Sequence, residues 1–492
     1  MSWRSFGTRA MAAALVALSG CASTDATPGF RDMAKTVHER TGYRLRWGQD
    51  TEEDHDADRA LGDLLARPLS VDGAVEVALL RSPSLQAIYE DLSLAQADVV
   101  QAGLLSNPVF SADFTTAERD AIDPNFIFGV TQSFLDLLLI PAKKKIANAA
   151  FEAAKFRVAS AVFAATAEVK AAFYAVQAAD QTLGVRRTMA SAEEASFELV
   201  QRQAAAGDVS DLVAADEKTL YLETRLDATR AEAGVEAARE HLTRLMGLTS
   251  PAWRAAGGLP DLPPADVPLD RLEEHALRER LDLAALRGEA QTLDYALGLA
   301  KTSRWTGVID IGVDVARLKD GHIAVGPRAS LELPIFDQRQ APIARLEAQL
   351  RKSQSLLAEQ IVDVRSEVRG AYARMQYARQ IADQYRASII PTREHVVELS
   401  QQEYSAMLLG VYQLVAAKRS EVSAYGEYID AVREYWTARA DLELALGGNL
   451  PSAPAAAAPT PSSMPMPSSS PPMPSSMPMP MNMPMPEHHH EP

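Results

Sequence analysis

Two periods of hydrophobic positions alternate along the chain. Between Pro141 and Pro251 there is no proline, and Ile146, Ala149, Ala153, Phe156, Ser160, Phe163 and Ala167 step by three and four residues in turn. Leu212, Ala215, Thr219, Leu222, Leu226, Thr229 and Ala233 repeat the pattern, as do Leu414, Ala417, Glu421, Ala424, Tyr428, Ala431, Tyr435 and Ala438. A 3.5-residue repeat is the seam of packed, supercoiled helices. Alanine at so many seam positions predicts close approach of the helix axes. The stretch from Ala142 to Ala206 reads as one helix of 65 residues, about 100 Å long at 1.5 Å per residue. Pro391 should end or kink its counterpart in the second half.

The long helices need turns. "AAAGDVSDL" supplies one, with Gly207 as a left-handed stop and Asp208 or Ser210 as the next N-cap. "LLGVYQL" supplies the other at Gly410, expected like Gly207 at positive φ and followed by Val411 and Tyr412. Each half of the chain then forms an antiparallel helical hairpin with a tip.

The second period is two. Ile309, Ile311, Val313 and Val315 alternate with Asp310, Gly312 and Asp314; Ile323, Val325, Ala329, Leu331 and Leu333 alternate with His322, Ala324, Arg328, Ser330 and Glu332. "LKDG" between them is a hairpin turn. In the first half Phe110, Ala112 and Phe114, then Phe126, Phe128 and Val130, line one face. An apolar face backed by a charged one fits transmembrane strands around a wet lumen, lined here by Asp310, Asp314, Arg328 and Glu332; a soluble sandwich shows the same alternation. The strand count decides. Four strands cannot close a membrane barrel, which needs about eight or more, and lipid does not tolerate open strand edges. The barrel must be shared among chains, and three copies in cyclic symmetry would give twelve strands. The expected fold class is therefore a mixed α and β membrane protein, with long coiled-coil helices forming an α-barrel and four β-strands per chain.

The body of the chain is duplicated. Asp136 and Asp337 lie 201 positions apart, as do Pro141 and Pro342; Ala78-Leu79 and Ala276-Leu277 lie 198 apart. This divides the chain into a leader at 1–20, a linker at 21–68, repeats at 69–260 and 261–450, and a tail at 451–492.

Composition adds the compartment. Arg4 and Arg9 precede a short apolar core, Met11 to Leu18, too short to span a bilayer and typical of a secretory leader. "LSGC" ends it and resembles a bacterial lipobox, which makes Cys21, the single cysteine, the expected site of acylation. Ala22 is not the aspartate that resembles an inner-membrane retention signal, so the outer membrane is expected. A net charge of −16 argues against nucleic acid. No later run of 18 apolar residues predicts a membrane-spanning helix. HExxH, GxSxG and P-loop patterns are absent, so no enzyme is predicted. "EEDHDAD" at 52–58 reads as a solvated loop, and His241, His275 and His395 as isolated helix residues.

The tail is a different polymer. From Pro451 onward it holds 14 of the 29 prolines, 8 of the 15 methionines and 3 of the 9 histidines. Proline at this density prevents helix and ladder pairing. Thioether sulfur favours soft Cu(I) and Ag(I), and imidazole takes Cu(II) or borderline ions. Met477, Met479, Met481, Met483 and Met485 with His488, His489 and His490 are the candidate ligands; a plain Pro-Ser-Met spacer is the alternative.

The combination resembles the TolC-like outer-membrane efflux proteins over roughly residues 60 to 450. "NPVF", "PIFDQRQAPIARLEAQ", the tips at Gly207 and Gly410, and the helix ends "LTRLMG" and "LELALGG" carry the resemblance. "SFLDLLLIPAKKK" departs from it in lacking the usual glycine near its proline. The resemblance implies a homotrimer, a twelve-stranded barrel, a periplasmic α-barrel and tips that dock a periplasmic adaptor. It also implies passive conduction from an inner-membrane pump of the resistance-nodulation-division type, with no cofactor required. With its tail the chain resembles the Cus-type copper and silver component. A drug or protein-secretion duct of the same fold and a periplasmic metal-sequestering lipoprotein are the other readings.

Overall fold

The computed structural model describes residues 23–49, 59, 61–115, 125–266, 271–317, 322–448 and 450. The leader, Cys21, the acidic stretch at 52–58, the turn at 318–321 and the tail lie outside the described residues.

Helix α1, Thr27–Thr41, precedes the first repeat. That repeat runs α2 (Val71–Arg81), α3 (Pro83–Gly103), β1 (Val109–Thr115), β2 (Asn125–Ser133), α4 (Phe134–Ala206) and α5 (Asp211–Leu245). The second runs α6 (Leu272–Glu279), α7 (Leu281–Thr302), β3 (Ile309–Arg317), β4 (Ile323–Leu331), α8 (Gln340–Gln384), a π-turn (Tyr385–Ile389), α9 (Ile390–Ser405) and α10 (Val411–Ala445).

The duplication is visible in the joints. A single extended residue separates the two short helices of each half, Ser82 at φ −61° and ψ 117° and Arg280 at φ −66° and ψ 124°. The long return helices end on left-handed glycines, Gly247 and Gly447. Each glycine packs on the bend of its own half: a β-carbon would lie 2.7 Å from Arg81 O at Gly247 and 3.0 Å from Glu279 O at Gly447. Only glycine gives both the positive φ and this approach.

The two halves enter their long helices differently. In the second, residues 332–339 form a loop, Arg339 is left-handed at φ 58°, and Pro342 is the third residue of α8. In the first, α4 begins directly after β2, eight residues before the expected start, and contains Pro141. The 73-residue helix is about 110 Å long. There "SFLDLLLIP" continues as helix through the proline. Pro391 does not end its helix either. The π-turn just before it, where Ile390 N–H donates to Tyr385 O, absorbs the missing backbone donor.

Along α10 the expected seam is half-buried at Leu414 and Ala417 and buried from Glu421 onward, at Ala424, Tyr428, Ala431, Tyr435 and Ala438, with a second buried line at Val422, Tyr425, Ile429 and Val432. This helix packs against both α4 and α8. Helix α5 corrects the reading of its period. Its expected seam is exposed, Leu212 by 70% and Leu222 by 50%. The buried face instead runs through Glu217, Ala228, Val235 and Leu242, and Ser196 of α4 donates to Glu217 across it. Two apolar stripes of the same period coexist on this helix, and the more obvious one faces outward. One window of α4 is apolar and long enough to cross a membrane by composition, but 56% of it is buried within the chain, as in a core helix.

Candidate functional site

The strands form one antiparallel sheet in the order β1-β2-β3-β4. Each half contributes a hairpin, and the β2–β3 ladder, from Phe126↔Arg317 to Ser133↔Asp310, joins the halves. Register places Phe110, Val130 and Val313 in one row and Ala112, Phe128, Val315 and Val325 in the next. Phe110 stacks on Phe128 at 6.1 Å, and Phe114 meets Phe126 edge-on at 5.2 Å. This apolar face is exposed, Phe110 by 66% and Val313 by 50%.

The opposite face carries Asp310, Asp314, Arg328 and Glu332, and along β3 its residues are the more enclosed. Arg328 Nη1 stands 3.7 Å from Asp314 Oδ1, and Ser330 Oγ donates to Asp310 Oδ2 at 3.3 Å. Glu332 lies just past β4, where its Oε2 accepts from Val308 N–H at 3.0 Å. Gly129 makes room for the Asp314 carboxylate, since a β-carbon there would lie 2.5 Å from Oδ1. The sheet is thus inverted relative to a soluble one, with its apolar side outward. Both of its edges, β1 and β4, are unpaired among the described residues.

The tips lie at the far end of the long helices. At the first, Gly207 is left-handed at φ 82°, Asp208 N–H donates to Gln203 O at 2.9 Å, and Ser210 rather than Asp208 caps α5 by accepting from Val213 N–H at 3.4 Å. At the second, Gly410 is not the left-handed residue. It has φ −79° and ψ 160° and occupies the N-cap position of α10, the place of Ser210. The left-handed residue is Met407, at φ 62°, and Leu408 N–H closes the turn on Glu403 O at 2.9 Å. Met407 is 91% exposed. The first tip is therefore polar and relaxed, the second apolar and strained. Val411 and Tyr412 open α10; the Tyr412 hydroxyl is buried without a hydrogen-bond partner, and burial raises its pKa.

Just above the tips lies a charged layer that pattern reading did not find. Glu193 of α4 and Glu217 of α5 are buried, as is Glu421 of α10. Arg419 binds Glu193 through two guanidinium nitrogens, Ser196 donates to Glu217, and Lys418 Nζ lies 2.8 Å from Glu421. The one signal available was Glu421, a carboxylate standing at a seam position. Among the described residues no cluster of His, Cys, Asp or Glu could hold a metal ion; His241 faces Arg244 and His395 faces Glu398.

The family model described as outer membrane efflux protein matches residues 74–248 and 276–448, one match for each repeat. The chain belongs to the outer membrane efflux protein family. Members of this TolC-like family are transport components of the outer membrane with a large periplasmic part. The cobalt-zinc-cadmium resistance protein CzcC of Cupriavidus metallidurans is 21% identical over 390 residues, spanning 78% of this chain and 91% of that one. A membrane protein from Pseudomonas aeruginosa shares the fold with a TM-score of 0.67 at 20% identity, over 77% of this chain and 92% of its own. CusC, solved in a study of folding and transmembrane channel formation, does so with a TM-score of 0.63 at 16% identity, over 77% and 92%.

Two predictions follow from the helical end of this efflux-family chain. Gly207→Ala should cost about 1 kcal/mol at the first tip and speed hydrogen exchange of the Asp208 amide about fivefold, whereas Met407→Gly should slow exchange at Leu408. Gly410→Ser should leave Leu408 unchanged; acceleration there would mean that Gly410 does need a left-handed backbone. In the charged layer, Arg419→Met would leave the fully buried Glu193 unpaired and should destabilise the chain by about 2 kcal/mol, after allowance for the partial exposure of Arg419. Adding Glu193→Gln should recover most of that loss in chemical denaturation.

Proposed function

We propose that three copies of the chain form a channel through the outer membrane. The observation that carries this reading is the inverted sheet with two open edges. In hydrocarbon those edges need partners, and a head-to-tail ring of three sheets supplies them within a twelve-stranded barrel. Asp310, Asp314, Arg328 and Glu332 then line water. The exposed stripe of α5 supports the same assembly. Leu212, Leu222 and Leu226 keep a heptad seam ready for a neighbouring helix, which would close the long helices into an α-barrel. The tips around Gly207–Ser210 and Met407–Tyr412 dock a periplasmic adaptor, which connects the channel to a pump of the resistance-nodulation-division type in the inner membrane. Cys21 anchors the mature chain by its acyl groups.

The cargo in this reading is a heavy-metal ion, with Cu(I) or Ag(I) first. The support is the methionine and histidine tail, Met477 to His490, together with likeness to a cobalt-zinc-cadmium resistance protein. The tail concentrates ions beside the channel without forming the path. Imidazoles His488, His489 and His490 extend the range to borderline ions. A general drug or protein duct would share the whole architecture and differ only in this tail.

Leu222→Lys combined with Leu226→Lys should yield monomers in mild detergent with helicity retained; trimers that survive the double change would mean that the stripe is not an assembly seam. Deleting residues 451–492 should lower bound Cu(I) and copper tolerance while trimers persist. Unchanged Cu(I) binding in that deletion would remove the metal assignment and leave a general efflux channel.

A further inference from the structure

The apolar surface does not stop at the strand ends. It continues as Leu137 and Leu138 in the first turns of α4, Trp305 between α7 and β3, and Ile335 and Phe336 ahead of α8, all exposed. Positive charge follows immediately. Lys143, Lys144 and Lys145 are the only run of three lysines or arginines in a chain of net charge −16. Lys143 is neutralised by Asp136, with Nζ 2.8 Å from Oδ1. Lys144 and Lys145 are exposed and have no carboxylate partner among the described residues. Lys145 rests its ammonium 3.9 Å from the centre of the Tyr295 ring. Lys144 lays its stem across Gly103 of α3, where a β-carbon would collide with Cε.

Direction matters as much as charge. Side chains on a helix lean toward its N-terminus, and the N-terminus of α4 is the end joined to the sheet. Both lysine stems therefore lean toward the membrane. They follow Leu137 and Leu138 by about 10 Å of helix, and the headgroup layer beyond the hydrocarbon is about 5–8 Å thick on each side. A leaning stem brings its ammonium into that layer. Across the same junction the Arg304 guanidinium lies 4.8 Å from the ring centre of Trp305, the aromatic and basic pairing favoured at a membrane interface.

We propose that Lys144 and Lys145, beneath the collar of Leu137, Leu138 and Trp305, bind an anionic phospholipid of the periplasmic leaflet. The collar takes the acyl chains and the two ammonium groups take the phosphate. This rests on the reading of the sheet as membrane-embedded. The occupant follows from continuity with the lipid-facing strands and from unpaired cations on an otherwise acidic protein.

The test uses the full-length protein in bilayers of phosphatidylcholine alone and of an equimolar mixture with phosphatidylglycerol, with lipids retained after detergent extraction identified by mass spectrometry. From the mixture the wild type should retain phosphatidylglycerol over phosphatidylcholine at least about fivefold, the effect of one lysine near an anionic surface. K144Q/K145Q should lose the preference and still insert as the wild type does. A control, R186Q/R187Q, removes equal charge from the helical arm far from the sheet and should keep the preference. Equal retention by the wild type overturns the inference, as does a preference that survives K144Q/K145Q or vanishes in the control. Dissociation of the oligomer by K144Q/K145Q, with no lipid preference in the wild type, would assign the lysines to a neighbouring copy. Failure to insert even into phosphatidylcholine would remove the membrane reading and this inference with it, whereas insertion without preference removes the inference alone.

Discussion

Hydrocarbon offers a backbone amide no hydrogen-bond partner, and the rest of this structure is arranged around that constraint. The chain places four strands with their apolar side outward, and its central ladder pairs β2 of one repeat with β3 of the other. One repeat alone would present a bare hairpin; two joined repeats still leave two edges open. On the proposed reading, a single chain is therefore not the finished object in a membrane. The exposed heptad stripe on α5, which would be wasteful in a monomer, belongs to the same incompleteness.

The duplication sets the mechanics without making the halves equal. Both use one extended residue between short helices and one left-handed glycine packed on that bend. They part where the chain changes direction. The first half passes from β2 straight into α4, while the second detours through a loop with Arg339 left-handed. At the tips a relaxed Gly207 answers a strained, exposed Met407. A ring built from such chains would alternate two chemically different tips, so a docking partner could read orientation as well as position.

Long alanine-rich seams pack closely but specify register poorly, because each small side chain resembles the next. The buried charged layer supplies what they lack. Glu193, Glu217 and Glu421 come from three helices, and Arg419 joins α10 to α4 across the two hairpins. A slip of one turn would leave a carboxylate buried and unpaired, which is costly enough to select one alignment.

The periods alone determined the long helices, the four strands and their faces, the duplication and the places where the chain must turn, because local backbone geometry dictates spacing. They determined Asp310, Asp314, Arg328 and Glu332 as one face, since alternation in a strand has only two outcomes. Tertiary structure decided what spacing leaves degenerate. It chose which of two equal-period stripes on α5 meets α4, because both satisfy a coiled coil and only the partner distinguishes them. It moved the left-handed turn from Gly410 to Met407, since the end of α9, not the nearest glycine, fixes where the chain reverses. It carried α4 through Pro141 and spanned Pro391 with a π-turn, because neighbouring helices can hold a backbone that local propensity would break. And it buried Glu193 and Glu217, whose partners, Arg419 and Ser196, lie elsewhere in sequence and meet them only when the helices pack.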